Sequence, residues 1–243
     1  MTTIWTYLAN KITRTRKTIS PDNLASLRQR ISVTRVRGDY QETYPNDPNI
    51  DPHRKLKEIA RYLLISQHAH RKRVLDIGSG SFYGVAVIAE NARRVVGIES
   101  SRAAVKMAKS FWGKTINIEC LQGKDLSEVR ESFQMITIIN VIEHMPEKDA
   151  LTLLQAAAGK LEKGGRLFLS TPRNRSQVRS GQLENPDHVK EYNDESLEDL
   201  VRKADFKIEK KYIQTMTKIK TGIESEVDPT ERAWLFWLLV KMD

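Results

Sequence analysis

The sequence predicts an α/β fold, a mostly parallel sheet with helices packed on both faces. Three observations carry this reading. Strand and helix patterns alternate four times between residues 72 and 161, a fifth strand pattern follows, and successive βα units make a parallel sheet. The first strand pattern ends on an acid and runs into a glycine-rich turn, Val74-Leu75-Asp76-Ile77-Gly78-Ser79-Gly80-Ser81-Phe82-Tyr83-Gly84. Glycines there permit φ > 0 and close backbone approach, and such turns are where nucleotide-like ligands sit in α/β folds. At 243 residues, 40% hydrophobic and 29% charged, the chain has the apolar material for one large domain, or one domain plus an appendage.

The elements follow in order. Ile4, Trp5, Tyr7, Leu8 and Ile12 share roughly one helical face. Ser20-Pro21 pairs a cap with a proline at the first helical position and opens a second helix to about Arg30. Residues 38–50 are turn-rich and separate an arm and linker, 1–50, from the main domain, 51–243. Asp51-Pro52 repeats the cap signal. Leu56, Ile59, Ala60, Leu63 and Leu64 then give an amphipathic helix over 52–68. Strands are expected at 72–77, 94–99, 115–121, 135–140 and 166–171. Helices are expected at 83–91, 101–112, a short one from Leu126, and 146–161. Gly164-Gly165 turns into the fifth strand. A polar loop, 173–191, a helix at 194–204, a strand at 206–213 and the apolar run 234–242 complete the chain.

Charge divides the chain unevenly. The first 37 residues hold eight basic residues against Asp22 alone, a net +7 of the total +9. A basic arm of this kind meets phosphates, on nucleic acid, on an anionic lipid surface or on an acidic substrate; a solvated basic helix pair with no partner is the plain alternative. An acid-poor, Thr- and Arg-rich start also has the look of an organelle transit peptide. The single cysteine, Cys120, excludes an internal disulfide and a cysteine-based zinc site, and fits a reducing cytoplasm. No apolar run reaches 18 residues and no secretory pattern is found, so a cytoplasmic protein, peripheral at a membrane if the arm docks there, is expected.

In an open parallel sheet, ligands bind beyond the carboxyl ends of the strands, so the strand ends name the candidate site. The first ends on Asp76 and the turn Gly78, Ser79, Gly80. The second ends on Glu99, followed by Ser100. After the third come Asp125 and Leu126. The fourth ends on Asn140, with Glu143 and His144 just past it. A carboxylate at the end of the second strand can accept both hydroxyls of a ribose, and by charge it rejects a 2′-phosphate.

These features in this order resemble the class I S-adenosylmethionine-dependent methyltransferases. VLDIGSGSFYG resembles their first motif, VVGIES their ribose-acid strand and LQGKDL the segment that reads adenine. IINVIEHM resembles the fourth-strand motif and KLEKGGRLFLSTP that of the fifth strand. HVKEYNDESLEDLVRKADF resembles a later segment of the subgroup with ubiquinone-pathway O-methyltransferases. Together the motifs cover about residues 70–215; the arm has no counterpart. The resemblance implies a Rossmann-like sheet of seven strands, with an antiparallel seventh beside the fifth. AWLFWLLVKM suits a strand buried on both faces, although a short buried helix fits the pattern equally. It implies S-adenosylmethionine as cofactor, held by Asp76, Gly78, Ser79, Gly80, Phe82, Glu99, Ser100, Asp125, Leu126 and Asn140. One departure stands out: Phe82 holds the place of the family's third glycine. Either the turn is reshaped, or Phe82 packs against the cofactor or lids it.

The same turn argues against a dinucleotide, because G-S-G-S-F-Y-G is not G-x-G-x-x-G and Asp76 would repel a pyrophosphate. Methyl transfer from a sulfonium needs nucleophile, methyl and sulfur in line, an alignment worth roughly 7–11 kcal/mol. A base is needed when the acceptor is a hydroxyl, and His144 is the candidate, against a structural role capping the next helix. Glu143 would orient His144 or join it at a metal, but two adjacent groups do not make a metal site and none is expected. His188, Tyr192, Arg173, Arg175 and Arg179 lie in or beside the loop after the fifth strand, where the family builds acceptor contacts. The function expected is O-methylation of a small-molecule, lipid-linked or glycan acceptor. An RNA methyltransferase using the arm is the runner-up. A non-catalytic cofactor-binding module docking on a membrane or partner is the alternative from another class.

Overall fold

The computed structural model describes residues 52–123, 125–174, 183, 185–215, 219–221 and 233–242. The basic arm, the linker to residue 50, Arg175 and Arg179 lie outside them. The first described helix is α1, Pro52–His68, with the bounds its apolar spacing predicts. There follow β1 (Arg73–Ile77), α2 (Tyr83–Ala89), β2 (Arg94–Glu99), α3 (Arg102–Trp112), β3 (Ile118–Gln122) and β4 (Phe133–Ile139). A 3₁₀ turn, Ile142–His144, leads to α4 (Glu147–Lys160), β5 (Leu161–Pro172), α5 (Asp194–Lys203), β6 (Phe206–Gln214), β7 (Ile219–Thr221) and β8 (Trp234–Lys241).

Among the described residues one sheet forms, in the order β3-β2-β1-β4-β5-β8-β6-β7. β1 to β5 are parallel throughout. β8 inserts antiparallel between β5 and β6. The expected seven-stranded arrangement is therefore present, and the three-residue β7 adds an eighth strand antiparallel to β6. The chain starts in the middle of the sheet at β1, winds outward to β3, then returns to β1's other edge as β4. Connections leave the carboxyl ends of β1 and β4 in opposite directions, and the crevice between them is the ligand position of such sheets.

Two apolar layers sandwich the sheet. Ile59, Tyr62 and Ile65 of α1, the apolar face of α2, and Val105, Ala108 and Trp112 of α3 pack on one face. Ala150 and Leu154 of α4 with Leu197 and Leu200 of α5 pack on the other. β8 resolves the ambiguity of the terminal run. Leu235, Trp237 and Leu239 enter the second layer, while Phe236 and Leu238 enter the first. A strand alternates its side chains between faces, so a strand in the sheet interior is apolar at every position.

Three local expectations shift. No helix forms at Leu126: the Asp125 carboxylate accepts from Ser127 N at 2.9 Å, and this local bond competes with helix formation. β3 starts later than expected, because Thr115 N and Ile118 N still bond back to Trp112 O and Thr115 O. Gly164-Gly165 lies inside a register jump, with Phe133 opposite Leu161 but Met135 opposite Arg166, so β5 extends on both sides of the turn.

β2 is pressed closely by the turn after β1. A Cβ on Gly97 would stand 2.6 Å from the Phe82 ring and 2.7 Å from Ser79 Oγ. Gly97→Ala is therefore expected to lower stability by roughly 1–3 kcal/mol, the usual cost of overpacking a filled core. Urea unfolding would measure it, and an unchanged midpoint would mean that the ring does not lie over β2.

Candidate functional site

Asp76 is the innermost group of the site. The β1 register places it between Gly97 of β2 and Thr137 of β4, with its side chain fully buried. The Thr137 hydroxyl donates to Oδ1, and Oδ2 is buried without a hydrogen-bond partner among the described residues. Burial pushes the carboxyl up to about 7; the hydrogen bond from Thr137 opposes the shift and the nearby charge of Glu99 adds to it. A half-satisfied buried carboxyl is costly, and a ligand donor or cation at Oδ2 would remove that cost.

The turn after Asp76 is built by backbone geometry. Gly78 and Gly80 take φ of 71° and 50°. Beside Gly78 the chain end of β4 closes in, and an added Cβ would be 2.5 Å from Val141 Cγ2. Beside Gly80 no described residue lies within 4 Å of such a Cβ, so among the described residues this backbone faces open space. Ser79 is turned inward, its hydroxyl donating to the Asp76 carbonyl at 2.9 Å.

Phe82 answers the departure seen in the sequence. It adopts the left-handed conformation, φ 59° and ψ 10°, at the start of α2. The backbone shape that a glycine would take is thus kept. The side chain is fully buried among the residues between the sheet and α1–α3. The expectation that the ring lids the cofactor is corrected: it fills the space above Gly97, and only its backbone borders the turn.

Glu99 ties the turn to the end of β2. Its Oε2 accepts from Gly80 N at 3.0 Å. Oε1 accepts from Ser101 N at 2.8 Å and from the Ser100 hydroxyl at 3.0 Å. The carboxylate is buried and oriented, and Oε2, with one donor, retains acceptor capacity for a ligand hydroxyl. Ser100 is exposed at the rim. Asp125 is exposed, and its bonds from Ser127 hold its carboxyl below the usual range. Leu126 is buried in the main core and anchors that loop.

At β4 and β5 the sequence reading missed a cation. Arg61 of α1 is fully buried, and its Nη1 donates to Ser170 Oγ at 3.1 Å and to Asn140 Oδ1 at 3.4 Å. Arg61 precedes Ile65 by one helical turn, so the α1 pattern already places it on the buried face. Buried arginines are rare unless paired with acceptors or anions. Asn140 itself has φ 55° and donates its N–H to the Ser170 carbonyl at 2.9 Å.

Past Asn140 lies the pair Glu143-His144. Glu143 is buried and its Oε2 accepts from Thr171 Oγ1 at 3.2 Å. His144 is exposed, and its Nδ1 lies 3.1 Å from the Asp187 carbonyl oxygen. A carbonyl only accepts, so Nδ1 is the donor here, and in the neutral ring Nε2 is then the acceptor. The loop after β5 therefore orients His144. From the same loop His188 brings a third donor, so that one ligand atom each of Glu143, His144 and His188 lies within 4.8 Å of the others, a grouping able to hold a metal ion. His188 is already engaged at both ring nitrogens, by Glu191 Oε1 at 2.7 Å and Asn185 Nδ2 at 3.1 Å.

The other loop residues move away from acceptor contact. Tyr192 is fully buried in the main core and burial pushes its hydroxyl pKa up. Arg173 is buried beside Asp194, at 3.6 Å, instead of lining the loop surface.

The raised Asp76 value has a consequence for stability. Between its ordinary 3.8 and about 7 the folded chain binds more protons here than the unfolded chain. The contribution is fully present below the lower value and is lost as pH rises through the upper one. Asp76→Asn should flatten that part of the stability profile and leave the ligand-free protein more stable above neutral pH. Unfolding midpoints between pH 4 and 8 would test this, and parallel profiles for the two proteins would refute it.

Comparison with known proteins agrees with this geometry. Residues 49–211 match a family model described as a methyltransferase domain. The ubiquinone biosynthesis O-methyltransferase of Idiomarina loihiensis is 30% identical over 104 residues, covering 41% of this chain and 42% of that protein. A probable S-adenosylmethionine-dependent methyltransferase of Mycolicibacterium smegmatis is 31% identical over 146 residues, 58% of this chain and 55% of that protein. The chain thus spans about half the length of the curated relatives it matches. In fold it is similar to the N-methyltransferase NodS of Bradyrhizobium japonicum, solved with S-adenosyl-L-homocysteine. The TM-score is 0.60 at 15% identity, covering 90% of this chain and 98% of that one. With the match extending over more than half of its residues, the chain belongs to the methyltransferase-domain family.

Proposed function

We propose that this chain is an S-adenosylmethionine-dependent methyltransferase that methylates a hydroxyl oxygen of a small-molecule, lipid-linked or glycan acceptor. The observation that carries the oxygen assignment is the state of His144. Its Nδ1 donates to the Asp187 carbonyl, which makes Nε2 the acceptor atom of the neutral ring at the end of β4. The similarity to a ubiquinone biosynthesis O-methyltransferase supports the same assignment.

The residues present fit the cofactor. Buried Asp76 has an oxygen with no hydrogen-bond partner among the described residues and suits an ammonium. Arg61 places a buried positive charge at the ends of β4 and β5, which suits a carboxylate. Glu99 offers acceptors to ribose hydroxyls, and Gly80 borders the open space beside it. Exposed Asp125 is available to an adenine amino group. When bound, the cofactor supplies an electrophilic methyl on a sulfonium that leaves as a neutral thioether. The chain has no leaving group to protonate. Its work is to hold the acceptor in line, exclude water and take the hydroxyl proton on His144 Nε2.

Isothermal titration with S-adenosylmethionine tests the cofactor, and no heat at high micromolar concentration would remove the proposal. A cation beside Oδ2 favours ionised Asp76, so binding near neutral pH should release protons. The measured enthalpy should then differ between buffers of different ionisation heat, and Asp76→Asn should abolish the difference. Glu99→Gln should weaken binding about ten- to a hundredfold, the loss of a charged hydrogen bond of ~1.5–3 kcal/mol.

His144→Ala should bind cofactor as before but transfer labelled methyl into a host extract about 10²–10⁴ times more slowly. Undiminished transfer would exclude His144 as the base.

A further inference from the structure

The loop after β5 contains a buried acid–imidazole pair that the methyl-transfer reading does not use. Glu191 and His188 are both buried, at 6% and 8% exposure. Burying a carboxylate and an imidazole costs free energy unless they satisfy each other. Here His188 Nδ1–H donates to Glu191 Oε1 at 2.7 Å, and His188 Nε2 accepts from Asn185 Nδ2 at 3.1 Å. Asn185 completes the clamp. Its Oδ1 accepts from Asp187 N at 3.1 Å, its carbonyl from His188 N at 3.0 Å, and its own N–H donates to Glu191 Oε1 at 3.2 Å.

These bonds bracket Asp187, fixing its N–H through Asn185 and the next residue, His188, through Glu191 and Asn185. Asp187 is exposed and lies between two residues whose positions are fixed from inside. The loop is also tied down beyond it, because Val189 N and Lys190 N donate to the Glu143 carbonyl at 2.8 and 3.1 Å. The Asp187 carbonyl is thereby presented to His144 Nδ1 at 3.1 Å. In addition the two imidazoles pack edge to face, with centroids 5.4 Å apart and planes at 80°. That contact sets the plane of the exposed ring.

We propose that His188 is a positioning residue: locked by Glu191 and Asn185, it holds the Asp187 carbonyl where it keeps the proton of His144 on Nδ1 and the lone pair on Nε2. This deepens the reading of His144 as the proton acceptor and rests on it for its catalytic meaning. The structural claim itself concerns only the tautomer. The neutral histidine side chain in water prefers the proton on Nε2, so the clamp works against the intrinsic preference. Without it, the nitrogen meant to accept would carry the proton for much of the time.

The test is long-range ¹H–¹⁵N correlation spectroscopy of the histidine rings in the full chain at a pH where they are neutral. His144→Gln identifies the His144 signals by their loss. The wild-type ring should show the Nδ1–H pattern. His188→Ala should replace it with exchange-averaged or Nε2–H signals. His188→Asn should restore it, since that amide can donate to Glu191 as Nδ1 does. Asn185→Ala removes the partner of His188 Nε2 and the acceptor for Asp187 N from a half-buried position. It should shift His144 in the same direction, and it gives the answer if His188→Ala does not fold. An Nε2–H pattern in wild type, or an unchanged Nδ1–H pattern in the folded variants, overturns the proposal. If instead the tautomer shifts as expected while His144→Ala retains full methyl transfer, the clamp stands and the reading of His144 as the base falls.

Discussion

The site depends on the reversal of strand order between β1 and β4. Both strands are parallel and paired, but their connections depart to opposite sides of the sheet. The backbone beyond their ends cannot fill the gap, so a crevice is left at the carboxyl edge. Asp76 sits at its floor, already paired to Thr137 across the β1–β4 boundary. The carboxyl is buried because β1 is central, and it keeps one oxygen unbonded because the crevice is there.

Around that floor, separate parts of the chain hold one another in place before any ligand arrives. Glu99 binds the glycine turn through Gly80 N and the start of α3 through Ser101 N. Phe82 keeps the turn's left-handed step and fills the space over Gly97 with its ring. Arg61 links α1 to Asn140 and Ser170 at the other wall. Such prior fixing matters for a reaction that is mainly alignment, because ordering the site during the reaction would subtract from the rate.

Much of this was legible from local pattern. Period and turn chemistry located α1, β2 and the strand-end acids, and glycine spacing located the turn. Those signals depend on neighbours a few residues apart. Phe82 shows their limit: sequence marked its place as unusual, but the direction of its ring is set by Gly97 on another strand. Tyr192 and Arg173 were legible as residues near the loop, not as core residues, since what buries them comes from other elements. The terminal run is a strand because β5 and β6 offer it edges on both sides, which its own composition cannot reveal.

By itself, then, the sequence determined the order of elements, the α/β class and the carboxylates and glycines that line the crevice. Backbone propensity and hydrophobic periodicity are local quantities, and each is written within one stretch of chain. Only the tertiary structure decided which atoms of those residues are available. It left Asp76 Oδ2 without a hydrogen bond, placed Arg61 against Asn140, and set the Asp187 carbonyl on His144 Nδ1. Protonation, tautomer and orientation are fixed by burial and by partners distant in sequence, and those exist only once the sheet has closed around them.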